Sequence, residues 1–381
     1  MLFLPRNTVR LLLALFVLAA SAARGDETRP FREGRCGAAQ LRYINDLPVL
    51  TVAGTPEEIG RQKGALTQDV VKKLADYPRL LLERANHKER LPKYLETGKV
   101  LIERLPADYR DEMRSFARQS GLNPDMGILA NTLADVYRGS FSCSSLMIDA
   151  KRSATKGPLF GRNLDFYTLG LLDKYSLVTV QRSKGKHAFV SIGFPGLFGC
   201  LSGMNDQGLA LAVHEVFLSR DGAPIFNRKG MPYTFCFRQI LEQCTTVEEA
   251  EELLRATERT TLFSLALCDR RHSVVLEATP FSVVPRHGSE SVCACTNHFR
   301  SAELMVLPWC NRYRKLIQSR KLDQLDIADV AQKLNEVNMG RMTVHTMIFE
   351  PVPLKLHLAI GSCPSSALPL KALELGPLFA R

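Results

Sequence analysis

The chain has 381 residues, 45% of them hydrophobic and 23% charged, and a formal net charge of +11. That balance excludes a disordered or fibrous protein and leaves ample material for a large core. The basic residues are scattered rather than gathered in a stripe, and no nucleic-acid motif accompanies them, so the charge reads as a solvated surface and nucleic acid is not an expected partner.

The chain opens with Arg6 and Arg10 ahead of an unbroken apolar run from Leu11 to Ala20, then the small residues Ser21 and Ala22. This is the pattern of a secretory signal peptide over residues 1–22, which predicts a secreted or periplasmic protein. The rival, a membrane anchor, would need roughly 20 apolar residues, about twice what this run offers. No later segment has the length and apolarity of a membrane span. Ten cysteines in an exported chain invite a disulfide reading whose connectivity the sequence leaves open. The absence of any Asn-x-Ser/Thr sequon leans towards a bacterial envelope.

From Thr55 to Tyr137 the texture is helical. Thr55-Pro56-Glu57-Glu58 carries a threonine cap, a first-turn proline and a glutamate three residues on, a capping box that should launch a long helix through Val70, Val71 and Leu74. Pro106 to Ser120 reads as a second helix stopped at Gly121, and Asn123-Pro124 opens a third. Residues 23–142 are therefore expected to be a helical N-terminal part.

After Ser142 short strand candidates take over: Cys143 to Ile148, Leu159 to Phe166, Tyr175 to Gln181, Ala188 to Phe194 and Leu209 to Val216. The series resumes at Leu262 to Cys268, Ser273 to Glu277, Val292 to Phe299, Val344 to Phe349 and Leu354 to Ile360. Helices interrupt it at Val247 to Ala256 and Ile327 to Val337. Runs of strands with helices between them predict antiparallel sheets layered on helices, an α+β domain without a parallel βαβ core. Residues 143–381 would complete one domain with residues 23–142.

Taken alone Cys143 carries little, since free cysteines are commonly buried as small hydrophobes. Its setting adds weight: it lies where helical texture gives way to strand, Ser144 and Ser145 follow it, and Gly161-Arg162-Asn163-Leu164-Asp165 comes on the next strand. Further along stand Gly203-Met204-Asn205-Asp206-Gln207-Gly208-Leu209, Thr296-Asn297-His298-Phe299 and Asn311-Arg312-Tyr313-Arg314. Together with Gly54 to Gly60 and Lys63-Gly64, this ordered set resembles the family of N-terminal-nucleophile hydrolases that includes acyl-CoA:isopenicillin N acyltransferase. Choloylglycine hydrolases and acid ceramidase-like amidases are more distantly similar.

The resemblance implies a four-layer αββα sandwich of antiparallel sheets, made as a precursor that cuts itself between Ser142 and Cys143. Cys143 would then be both nucleophile and, through its new α-amine, base. Arg162 and Asp165 would favour the thiolate and hold the new ammonium, with a surface ion pair as their bland alternative. Positions three apart point to opposite faces of a flat strand, so a bulge or strand end near Asn163 would be required to bring both to one site. Asn205 is either an oxyanion or substrate contact or simply the residue of a tight turn. Asn297, expected on a strand face shared with Cys293 and Cys295, is the stronger oxyanion candidate.

Arg312 is the expected distal, substrate-binding arginine, with Arg314 available in its place. His298 lies on the opposite strand face from Cys293 and Cys295, so no metal site is expected and no cofactor is implied. The expected substrate is a small N-acyl amide or an amine acceptor, and the two processed fragments should stay associated. Ser142 departs from the glycine that many relatives carry before the nucleophile. Two alternatives stay open: a papain-like cysteine protease using Cys143, His298 and Asn311, and a secreted binding protein on the same fold that has lost catalysis.

Overall fold

The computed structural model describes residues 29–139 and 141–380, so the leader read at 1–22 lies outside the described residues. The N-terminal part begins with three strands, β1 (Gly34–Cys36), β2 (Ala39–Ile44) and β3 (Leu47–Gly54). The sequence reading names helices from Thr55 onward and no strand ahead of them. The missed signal is Asn45-Asp46 between two alternating runs: both residues adopt positive φ, 50° and 57°, as a two-residue hairpin turn of the mirror-image kind requires. Five helices follow, α1 (Pro56–Leu74), α2 (Tyr77–Arg84), α3 (Leu91–Glu103), α4 (Ala107–Ser120) and α5 (Pro124–Val136).

The expected capping box launches α1, with the Thr55 N–H donating to Glu58 Oε2 at 2.8 Å and the Glu58 N–H donating to Thr55 Oγ1 at 3.3 Å. Gly121, at φ 72°, ends α4 as expected. The Gly60 and Gly64 stripe of α1 faces α4 so closely that a Cβ at Gly60 would sit 2.2 Å from the Glu112 carbonyl oxygen. Two helices can approach this way only where one presents no side chain.

Past these helices lie β4 (Phe141–Ile148), β5 (Leu159–Phe166), β6 (Leu177–Ser183), β7 (Phe189–Gly193), β8 (Ser202–Asn205) and β9 (Ala210–Glu215). Helices α6 (Tyr233–Gln243) and α7 (Val247–Ala256) precede β10 (Phe263–Cys268), β11 (Ser273–Ala278), β12 (Val283–His287) and β13 (Val292–Cys295). The chain continues with α8 (Asn311–Ile317), α9 (Ile327–Glu336), β14 (Thr343–Glu350), β15 (Lys355–Ala359) and β16 (Lys371–Glu374).

Two sheets stack face to face. One has ten strands in the order β1-β2-β3-β6-β7-β8-β9-β10-β11-β12, the other six in the order β13-β4-β5-β14-β15-β16. Met147, Phe160, Met347 and Phe349 of the smaller sheet interdigitate with Val49, Val180, Val190 and Met204 of the larger. Leu146, Ile148 and Ile348 on the smaller sheet's outer face meet Leu316, Val330 and Leu334 of α8 and α9. The outer face of the larger sheet is covered by the N-terminal helices with α6 and α7. The expected four layers, helix, sheet, sheet, helix, are therefore present.

The expectation of purely antiparallel pairing is corrected at one place: β3 and β6 pair in parallel, from Val49↔Val178 to Gly54↔Ser183. Five helices and two strands of the other sheet separate the pair in sequence, and a parallel neighbour needs a long crossover of this kind. The strand expected at Val292 to Phe299 stops at Cys295, where its ladder with β4 runs out opposite Ser145. All ten cysteines are free thiols, including Cys293 and Cys295 within the inter-sheet core.

Candidate active site

Cys143 is the third residue of β4 and is fully buried. It faces the same side as Met147, towards the second sheet, because strand side chains alternate. Its backbone N–H donates to Asn297 Oδ1 at 2.9 Å, and its carbonyl accepts from Arg312 Nη1 at 2.8 Å. Arg312 Nη2 donates to the same Asn297 oxygen at 2.9 Å, and Ser142 Oγ reaches it at 3.3 Å. Asn297 Nδ2 in turn donates to the Glu215 carbonyl at 2.9 Å. One asparagine and one arginine thus grip both sides of the Cys143 backbone.

Asn297 lies just beyond the end of β13 rather than on a strand face, and it presents its carbonyl oxygen to the Cys143 N–H. It holds the Cys143 backbone in place, while the expected oxyanion role would use its other end. Arg312, on the first turn of α8, touches Cys143 itself; Arg314 is exposed.

Arg162 and Asp165 do lie on opposite faces of β5, whose ladder with β4 runs unbroken from Leu159 to Phe166. The bulge that the sequence called for is on the neighbouring strand instead, between Thr343 and His345 of β14. Arg162 is fully buried on the inner face and donates Nη1 to the Val213 carbonyl at 2.6 Å, while its Nε and Nη2 have no hydrogen-bond partner. Asp165, on the other face, accepts from Thr343 Oγ1 at 2.6 Å and faces Arg312 Nη1 at 3.5 Å. The arginine that Asp165 holds is therefore Arg312.

Burial pushes the Cys143 thiol above its ordinary value; the Arg162 and Arg312 guanidiniums oppose this and the Asp165 carboxylate adds to it. In this setting the thiol is neutral at pH 7. Burial also pushes Asp165 up to about 6, against the pull of Thr343 and the two arginines. Asp165 thus titrates within the physiological range.

Asn205 stands apart from this cluster. Its Nδ2 donates to the Leu241 and Cys244 carbonyls at 3.0 and 2.7 Å, and its oxygen accepts from the Gln207 and Leu209 N–H groups at 3.1 and 2.9 Å. Every hydrogen-bonding position of the amide is used, two in shaping the β8–β9 turn and two in tying it to the end of α6, so the structural half of its two readings describes it. His298 makes no hydrogen bond to Cys143 among the described residues, and Cys143 lies within a strand and heads no helix.

The sequence reading missed Glu215. Its carboxylate accepts the Gly139 and Phe141 N–H groups at 3.2 and 3.1 Å and pairs with Arg138 Nε at 3.2 Å, clamping the segment that leads into Cys143. The available signal was a carboxylate closing the apolar run Ala210 to His214. Next to the site, the Phe141 and Phe166 rings stack at 4.4 Å and form one wall of an apolar pocket that extends to Tyr77, Met126, Leu133 and Leu172. Among the described residues no three His, Cys, Asp or Glu side chains converge as metal ligands.

Residues 152–324 match the family model described as acyl-coenzyme A:6-aminopenicillanic acid acyl-transferase. That match bears out the resemblance read from the motifs. It takes in Arg162, Asp165, Asn205, Asn297 and Arg312 and begins beyond Cys143. The protein dcd1A of Dictyostelium discoideum is 20% identical over 382 residues, covering 88% of this chain and 84% of that protein. The acid ceramidase of Rattus norvegicus is 26% identical over 179 residues, 42% of this chain and 44% of the ceramidase, so that likeness spans less than half of it. Among solved structures, a Caenorhabditis elegans N-acylethanolamine-hydrolyzing acid amidase ortholog superposes at a TM-score of 0.45 with 17% identity, over 61% of this chain and all of the other.

Proposed function

We propose that the chain is an amide hydrolase or acyltransferase of the N-terminal-nucleophile type, which cuts itself between Ser142 and Cys143 and then works through a Cys143 thioester. The observation that carries this is the double grip on the Cys143 backbone by Asn297 and Arg312 beside a buried arginine, Arg162, with two unpartnered nitrogens. A structural cysteine needs neither. The family match, whose name is that of an acyl transfer, supports the same chemistry.

In the cut, the Cys143 sulfur adds to the Ser142 carbonyl carbon, the Ser142–Cys143 C–N bond breaks, and the nitrogen takes up a proton to become the α-amine. The resulting thioester is opened by water, which leaves a Ser142 carboxylate and a free thiol. Intramolecular placement supplies much of the rate. In turnover, the α-amine, with an ordinary pKa of about 8, takes the thiol proton as sulfur attacks the substrate carbonyl and passes it to the departing amine. Water or an acceptor amine then removes the acyl group. The apolar pocket beside Phe141 and Phe166 suits an apolar acyl group, with the scissile carbonyl held at the Cys143 end. The leader at 1–22 belongs to this proposal, with N-terminal sequencing of the native protein expected to begin between Ser21 and Asp26.

Intact-mass analysis of the purified protein tests the reading. Wild type should give two pieces, the larger beginning at Cys143, and Cys143→Ala a single inactive chain. An active, uncut wild type together with an active Cys143→Ala would overturn both the processing and the nucleophile.

A further inference from the structure

Three loops rise from the ends of the strands that build the site. Residues 216–226 continue from Glu215, residues 299–309 continue from Asn297 towards Arg312, and residues 279–282 form the turn between β11 and β12. They are laced together. The Arg220 N–H donates to the Leu304 carbonyl at 3.0 Å and its Nη1 to the Ala302 carbonyl at 3.2 Å. Thr279 Oγ1 donates to Asp221 Oδ2 at 2.7 Å, and Arg300 Nη1 donates to the Pro308 carbonyl at 2.6 Å while its guanidinium lies over the Tyr313 ring. Val216, Leu262, Phe299 and Leu304 form a small core beneath.

On top of this braced platform stand large apolar side chains in water: Phe217 and Leu218 on one loop, Phe281 on the turn, and Val306, Leu307 and Trp309 on the third. Trp309 is 78% exposed and Phe281 67%. Isolated exposed hydrophobes are ordinary, but these six and Ile225, seven on three mutually bonded loops at the rim of one site, call for a partner. The surrounding charge is one-sided. Arg220 on the first loop and Arg314 and Lys315 on the following helix are exposed and Arg300 is half-buried, whereas Glu303 is the exposed carboxylate among the described residues of the three loops and the half-buried Asp221 is engaged by Thr279.

We propose that this rim docks the protein onto an anionic lipid bilayer, with Trp309, Leu307 and Phe281 entering the headgroup region and the arginines and lysines meeting lipid phosphates. Indole rings favour that boundary, and basic side chains around an apolar tip are drawn to negative lipid. A second copy of this chain is disfavoured as the occupant, because two basic rims on molecules of strongly positive net charge repel. Docking stands apart from the catalytic reading, since it uses none of the groups that grip Cys143.

Trp309 is the chain's only tryptophan, so its fluorescence reports on this loop alone. Vesicles of phosphatidylglycerol with phosphatidylcholine should shift its emission to the blue and protect it from aqueous quenchers. High salt should weaken the effect. Val306→Ser with Leu307→Ser should keep the wild-type melting temperature and lose about tenfold or more in vesicle partition. Cys143→Ala should bind as wild type does, which separates failure of docking from failure of the chemistry. No emission change with anionic vesicles overturns the proposal. So does equal binding to pure phosphatidylcholine, or a shift that follows protein concentration without lipid.

Discussion

Two buried polar networks lie in this fold, and they are built to opposite standards. In the first, between α1, α4 and α6, Glu112 accepts from Lys63 at 2.7 Å and Arg238 at 2.6 Å, and Glu242 accepts from Arg238 at 2.8 Å, Lys186 at 2.9 Å and Tyr109 at 2.8 Å. Arg238 uses its last nitrogen on the Phe198 carbonyl at 3.2 Å. In the second, around Cys143, Arg162 keeps two nitrogens unpaired, and the Ser144 and Ser145 hydroxyls and Asp165 Oδ2 lack hydrogen-bond partners. A closed network holds elements together, and an open one leaves donors and charge free for something else. The first joins the helices before Cys143 to the chain after it; the second surrounds the bond at Cys143.

One kind of substitution, arginine to methionine, breaks the comparison most sharply. Arg238→Met should take from Glu112 and Glu242 the cation they share, leaving each with a single lysine, and cost about 3 kcal/mol, read as a lower denaturant midpoint. A loss below about 1 kcal/mol would place that network among ion pairs of surface strength. Arg162→Met removes a buried cation that pairs with no carboxylate among the described residues, so stability should hold or rise while turnover falls by about 10²–10³-fold. If both variants lose stability equally, the distinction between the networks fails.

The smaller effect is one of pH. Asp165 is pushed up to about 6 in the fold, against an unfolded value near 3.9. Its ionisation therefore costs stability as pH rises from about 4 to 6, and the full cost is present above the folded value. Asp165→Asn removes that cost and keeps the Thr343 contact. Relative to wild type it should gain up to about 3 kcal/mol between pH 4 and pH 7. A stability difference that stays flat over this range would place the Asp165 carboxyl at its ordinary value.

The sequence carried the strand series, the capping box at Thr55 and the run of motifs through Arg312, because these are written in local periodicity and in residue types with few alternatives. It did not carry the β1–β3 strands, although Asn45-Asp46 announced their hairpin, nor the parallel pairing of β3 with β6, which depends on contacts made across the whole helical block. At the site, Cys143 and Asn297 come together as their motifs suggested. The partner of Asp165 was legible only in three dimensions, since strand alternation sends Arg162 to the far face and brings Arg312 from a helix in its place. Glu215 escaped notice because its function is to turn back on Gly139 and Phe141, and no spacing records that. Asn205 illustrates the reverse, a motif residue whose four hydrogen bonds are all spent on its own turn and on the end of α6.

The grip on Cys143 also sets an order of events during synthesis. Asn297 lies 154 residues downstream of the cysteine and Arg312 169, so neither exists when Cys143 leaves the ribosome. Any chemistry that needs those two contacts must wait until most of the chain has been made and both sheets have stacked. Chains truncated before Arg312 would carry Cys143 without the contacts that hold it, and any chemistry proposed there becomes a readout of completed folding.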